Sequence, residues 1–173
     1  MSPSLVKEGE LKGVVGNQMK FSAQEEYGLR CLLRIAKFYA VEKSFTIPEI
    51  SRAEGISEHN AGKILRVLRI GGLLESSRGQ IGGYTLTRPP EQISVGNILK
   101  VLGGRLFDDE FCNTHTGAMD ICTNSIDCSV RSLWKLIQDS VDSVVDKMTL
   151  KDLMGNEKFL FEFSNRNDVI EQN

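Results

Sequence analysis

Three helical periodicities joined by capped turns, a glycine-rich hairpin, and a late helix with an unbroken apolar stripe predict a mainly α fold. The expected architecture is a winged helix-turn-helix domain with a two-stranded wing, followed by one long C-terminal helix. The 173 residues, 40% of them hydrophobic, suffice for one or two globular domains, and no apolar run approaches 18 residues. A membrane-spanning chain and a wholly disordered one are both excluded. Met1 to Gln18 lacks the basic start and continuous apolar core of a secretion signal, so a cytoplasmic, reducing setting is expected. There, four cysteines read as metal-binding, redox or buried thiols rather than as a disulfide framework.

The formal charge of −2 averages over unlike segments. Met19 to Pro90 carries 11 basic and 7 acidic residues, net +4, whereas Glu91 to Cys128 carries 2 basic and 6 acidic, net −4. The front half suits a polyanion and the middle does not.

The first helix begins at Ser22, which forms an S-x-x-E capping box with Glu25. Tyr27, Cys31, Leu32, Ile35 and Tyr39 recur at helical spacing, and the helix is expected to end near Lys43. Thr46 to Glu49 gives a second cap signal, with a proline in the first turn of a short helix running through Ala53. Gly55 turns the chain and Ser57 caps a third helix, whose inward face is Ala61, Ile64, Leu65 and Leu68. Its outward face carries His59, Asn60, Lys63, Arg66 and Arg69, and Gly71-Gly72 stops it. Leu73 to Ser77 and Tyr84 to Thr87 are strand-like runs, and the three glycines between them permit a tight hairpin with Arg78 at its tip. Ser94 caps a further helix through Val95, Ile98, Leu99 and Leu102.

Arg105 to Cys128 reads as a long acidic loop. From Ser129 onward, Val130, Leu133, Trp134, Ile137, Val141, Val144, Val145 and Met148 form one stripe over five turns. Little other chain remains to cover it, so burial against a second copy is expected, making this a dimerisation helix in a homodimer. The domain plan is a flexible N-terminal extension (1–18), the winged domain (19–104), a cysteine loop (105–128), the dimerisation helix (129–150) and a tail (151–173). In that tail Phe159 to Phe163 forms an apolar knot.

Helix, helix, glycine turn, helix and hairpin is the order in which the third helix enters the DNA major groove while the hairpin reaches backbone or minor groove. Ser57, His59, Asn60 and Lys63 sit in the first turns, where side chains meet base edges. Lys63, Arg66 and Arg69 are long cations on the flank and reach phosphates first. One guanidinium on a thin hairpin, Arg78, suits a narrow minor groove. Any one of these side chains read alone is equally an ordinary solvated surface residue.

Cys112, Cys122 and Cys128 are spaced C-x9-C-x5-C, whereas Cys31 lies alone on the inner face of the first helix. Three thiolates from one loop can ligate iron or zinc, leaving a fourth ligand to His115, a small molecule or a carboxylate from elsewhere. Zinc is less favoured, because its structural sites usually pair ligands as C-x2-4-C.

The stretches Met19 to Arg30, Ile50 to Ser57 and Arg78 to Leu86, with three late cysteines before a long helix, resemble the IscR/NsrR/RirA family of iron-sulfur transcriptional regulators. The resemblance covers about Met19 to Leu153. It implies a non-enzymatic, dimeric winged-helix protein on a palindromic double-stranded operator. It further implies one [2Fe-2S] or [4Fe-4S] cluster per subunit, whose loss, oxidation or nitrosylation changes DNA affinity. Cys112, Cys122 and Cys128 match the family's cluster cysteines. Where IscR-like members place a histidine, this chain has Arg131, which stays protonated and cannot ligate iron. NsrR-like members instead use an acidic residue early in the partner's first helix, and Glu26 matches that position. A first-turn carboxylate also simply suits the helix dipole. Two rivals stand beside this reading: a zinc- or thiol-based regulator on the same scaffold, and an iron-sulfur carrier that binds no DNA.

Overall fold

The computed structural model describes residues 22–77, 82–103 and 127–155. The N-terminal extension, the hairpin tip, most of the cysteine loop and the Phe159 to Phe163 knot lie outside them.

Helix α1 (Ala23–Ala36) opens with the expected capping box: Ser22 Oγ accepts the Glu25 amide at 3.2 Å, and the Glu25 carboxylate accepts the Ser22 amide at 2.6 Å. It stops at Ala36 rather than near Lys43. A 3-10 turn (Tyr39–Val41) follows, and Glu42 adopts a left-handed conformation at φ 52°. The cause is aromatic packing. The Phe38 ring meets Phe45 edge-on at 5.4 Å, the Lys43 ammonium lies over both rings, and the chain turns so that Phe45 can pair with Tyr84.

Helix α2 (Ile47–Glu54) is capped by Thr46 and Glu49 in a second capping box, and Gly55, at φ 68°, supplies the left-handed turn that ends it. Ser57 caps α3 (Glu58–Ile70), its Oγ accepting the Asn60 amide at 3.3 Å. Ala61, Ile64, Leu65 and Leu68 are buried as their spacing predicts.

Strands β1 (Leu74–Ser77) and β2 (Gly83–Leu86) pair antiparallel, with Leu74 opposite Leu86 and Ser77 opposite Gly83. A one-residue bridge between Phe45 and Tyr84 adds a third rung on the far side of β2. The approach is close: a Cβ on Gly83 would stand 2.9 Å from the backbone of Phe45. At the hairpin's root, Thr87 Oγ1 donates to the Gly72 carbonyl at 2.8 Å and Arg88 donates to the same oxygen at 3.2 Å, tying the wing to the end of α3.

Helix α4 (Val95–Leu102) packs beneath α1 and α3, and the side chain of Gln24 donates to the carbonyl of Leu102 at its C-terminal end. One core joins Leu32 and Ile35 of α1, Ile50 of α2, Leu65 and Leu68 of α3, Leu73 and Leu74 of the wing, and Ile98 of α4.

Helix α5 (Ser129–Val145) forms as the stripe predicts, but it ends before Met148, and a short helix α6 (Leu150–Leu153) follows. The chain there returns to the winged domain. Val95 N–H donates to Met148 O and Leu150 N–H to Ile93 O, both at 2.8 Å, and Leu150 is fully buried in the core. Lys100 of α4 pairs with Asp146 at 3.6 Å, and Gly96 of α4 lies directly against Val145 and Asp146, so the C-terminal end of α5 rests on α4. Of the 17 residues of α5 only Gln138 is buried; Val130, Leu133, Leu136 and Val144 are each more than half exposed.

Candidate nucleic-acid interface

Helix α3 is held from below by its apolar face, so its other face is free. His59, Asn60, Lys63 and Arg66 are all exposed there, as is Arg69 near the end. Ser57 sits at the cap. Its oxygen serves the Asn60 amide, which leaves the hydroxyl proton available to an outside acceptor. The first turn therefore presents a hydroxyl, an imidazole and a carboxamide beside the positive end of a helix dipole, and the next two turns present cations. Anionic backbone and base edges are what such a face can bind. Arg78, expected at the wing tip, lies outside the described residues.

An ion-pair cluster behind α3 escaped the sequence reading. Glu54, at the C-terminal end of α2, has a side chain only 8% exposed, and it accepts from Arg30 Nε at 3.2 Å and from Arg34 Nε at 2.8 Å. Arg30 also donates to the Glu54 carbonyl at 2.7 Å. The available signal was the i, i+4 pair of arginines on α1, which places both guanidiniums on one face. Next to this cluster, burial pushes the Cys31 thiol up to about 12, with the Glu54 carboxylate adding to the effect and Arg30 opposing it. Cys31 is thus an inert core thiol, as expected of a lone cysteine on an inner face.

Cys128 differs. It is half-buried at the N-cap of α5, and its sulfur accepts the Arg131 amide at 3.3 Å. Glu26 is exposed in the first turn of α1. Cys112, Cys122 and His115 lie outside the described residues, and among those described no group of three His, Cys, Asp or Glu side chains could hold a metal ion. Among the described residues, too, no helix is long and apolar enough to cross a membrane.

A tightly packed helix-turn-helix with a third helix exposed along its polar face, and a hairpin latched to its end, defines a DNA-binding winged-helix transcriptional regulator. The chain belongs to the Rrf2 family, described as iron-dependent transcriptional regulators, whose model matches residues 21–156. It is 33% identical over 135 residues to the HTH-type transcriptional regulator CymR of Bacillus subtilis, covering 78% of this chain and 89% of that one. The solved structure of CymR, the global cysteine regulator of B. subtilis, superposes with a TM-score of 0.58 at 31% identity, covering 79% of this chain and 97% of that one. T. potens IscR superposes at 0.60 with 29% identity, covering 79% and 86%. The relatives are named as regulators, which agrees with the expectation of a non-enzymatic protein.

Proposed function

We propose that this regulator binds a palindromic operator as a homodimer, and that an iron-sulfur cluster held by Cys112, Cys122, Cys128 and Glu26 sets its operator affinity. One observation carries the reading: Cys128, one of three clustered thiols, begins a helix whose apolar flank is uncovered and whose other end is fastened to the DNA-binding domain.

The uncovered flank of α5 is the dimer surface. Val130, Leu133, Trp134 and Val144 belong to the predicted stripe, and burying four such side chains against a second copy supplies on the order of 1.5–3 kcal/mol each. Two copies related by a twofold axis present two α3 helices to half-sites one helical turn apart, roughly 34 Å. Ser57, His59 and Asn60 then read base edges while Lys63 and Arg66 hold phosphates, with Arg78 of the wing in the minor groove.

The donor set fits the group. Three thiolates suit iron and sulfide, and an amide aimed at Cys128 sulfur is the kind of hydrogen bond that tunes such a centre. The carboxylate of Glu26 has no partner among the described residues, which leaves it available to an iron atom of the partner subunit's site. When bound, the cluster would supply a centre that oxygen, nitric oxide or iron scarcity alters. The rest falls to the chain itself: a shift of α5 at Cys128 is carried to its far end, where Asp146 pairs with Lys100 of α4 and, two residues on, Met148 O accepts from Val95 N–H at the start of α4. Val101 of α4 packs where Gly71 ends α3, so the recognition helix moves with it.

Protein purified without oxygen should be coloured, with iron and acid-labile sulfide in comparable amounts, and should change its operator affinity on exposure to nitric oxide or air. Glu26→Ala should alter the spectrum or shorten the cluster's lifetime; an unchanged spectrum and lifetime would remove Glu26 from the ligand set. The likeness to CymR, the global cysteine regulator of B. subtilis, favours a second reading, in which Cys128 and its loop act as thiols or hold zinc with His115. Colourless, iron-free protein that responds to thiol oxidants or contains zinc would select it.

A further inference from the structure

We propose that Glu54 is a positioning residue for DNA reading: clamped between Arg30 and Arg34, it sets the angle at which the recognition helix α3 meets the groove. The inference is independent of the metal and needs only that α3 binds DNA.

Glu54 is an odd residue for its place. A helix C-terminus carries partial negative charge and favours a cation, and a carboxylate that is 8% exposed loses hydration as well. Among the described residues both penalties are offset by the guanidiniums, which reach it from successive turns of α1 at 3.2 and 2.8 Å. Arg30 also takes the Glu54 main-chain carbonyl, so side chain and backbone of one residue are gripped together. Apolar contacts hold α2 against the core, and the hydrogen bonds from Arg30 and Arg34 add a directional constraint to them. A two-guanidinium grip has direction.

From Glu54 to the first residue of α3 the chain has no slack. Gly55 is left-handed at φ 68°; Ile56 is buried, its amide donating to Ser51 O at 3.2 Å and its carbonyl accepting from Ser51 Oγ at 2.6 Å; and Ser57 is the cap. A rigid turn transmits the orientation of one end to the other. The clamp therefore fixes α3 relative to α1, and with it where His59 and Asn60 fall along the base edges.

The arginines are 41% and 36% exposed, which makes the test clean. Glu54→Leu removes the buried charge and leaves two guanidiniums that are already 41% and 36% exposed free to rehydrate, so no uncompensated buried charge remains. Binding of the intact dimer would be measured by fluorescence anisotropy on a duplex selected from a random pool by the wild-type protein, and on a scrambled duplex of equal length. For Glu54→Leu and Glu54→Gln, affinity for the selected duplex should fall about tenfold or more, the scale of one lost base-pair contact. Affinity for the scrambled duplex and the thermal midpoint should stay near wild type. Arg34→Lys, which keeps the charge but loses the planar fork, should give a smaller loss of the same kind. Should the Glu54 variants fail to fold, Arg34→Lys decides by the same criterion. Folded variants that bind the selected duplex within twofold of wild type would overturn the proposal and leave the clamp a stability feature only.

Discussion

Gly83→Ala tests whether the wing is built on the backbone of Phe45. The added Cβ would lie 2.9 Å from Phe45 N, C and O, closer than real side-chain carbons come to backbone atoms, so β2 must move off its neighbour. Two backbone hydrogen bonds are then at stake, Tyr84 N–H to Phe45 O at 2.8 Å and Phe45 N–H to Tyr84 O at 3.1 Å. Each is worth about 0.5–1.5 kcal/mol net, and forcing a packed strand aside costs about 1–3 kcal/mol more. Against this stands about 0.4–1 kcal/mol from the stiffer unfolded chain. The expected loss is about 1–5 kcal/mol, which for a chain of this size lowers the thermal midpoint by roughly 2–20 °C. Calorimetry or circular dichroism at one fixed protein concentration measures it, since the proposed dimerisation would make the midpoint concentration-dependent. Gly62→Ala is the control. Its Cβ would meet only Ile47 Cδ1, at an ordinary 3.5 Å, so the helix should gain up to about 1 kcal/mol. If Gly83→Ala melts within 2 °C of wild type, as judged against about 2–4 °C per kcal/mol, the close approach is not what holds the wing.

Three further outcomes are expected. Leu133→Asp, placing a charge on the uncovered face of α5, should shift the protein to monomer in sedimentation equilibrium and abolish tight operator binding while leaving the helical signal largely intact; a dimer of unchanged strength would move the interface elsewhere. Lys63→Ala should weaken binding to all duplexes alike and reduce the slope of log affinity against log salt by about 1; an effect confined to one sequence would make Lys63 a base reader instead. Because burial lifts the Cys31 thiol from its ordinary 9.0 to about 12, the folded chain retains a proton that the unfolded chain loses. The resulting stabilisation is complete below pH 9 and lost between about pH 9 and 12, so alkylation of native protein at pH 8 should spare Cys31 and label it only in denaturant. Rapid native labelling of Cys31 would show that the core opens there.

Much of this molecule was legible because local chemistry and tertiary packing agree. The caps at Ser22, Thr46, Ser57 and Ser94 lie where the side-chain oxygens demand, since each serves amides that no other group in the helix can. The inner face of α3 and the stripe of α5 follow from a 3.6-residue period. The exposed face of α3 is then what remains, and His59, Asn60, Lys63 and Arg66 lie on it as their spacing predicts. The end of α1 was not. Tyr39 continues the period of the helix, but its neighbour Phe38 is drawn to Phe45, and no local signal weighs a ring contact seven residues away against one more helical turn.

The sequence by itself thus determined the elements, their caps, the buried faces and the exposed polar face of α3, because each depends on groups a few residues apart. Only the tertiary structure decided how those elements are tied together: the grip of Arg30 and Arg34 on Glu54, the pairing of Phe45 with Tyr84, and the return of Leu150 to the core beside Ile93. These contacts join residues 20 to 57 positions apart in the chain. Their partners are chosen by shape and charge in three dimensions, for which one-dimensional spacing carries no signal.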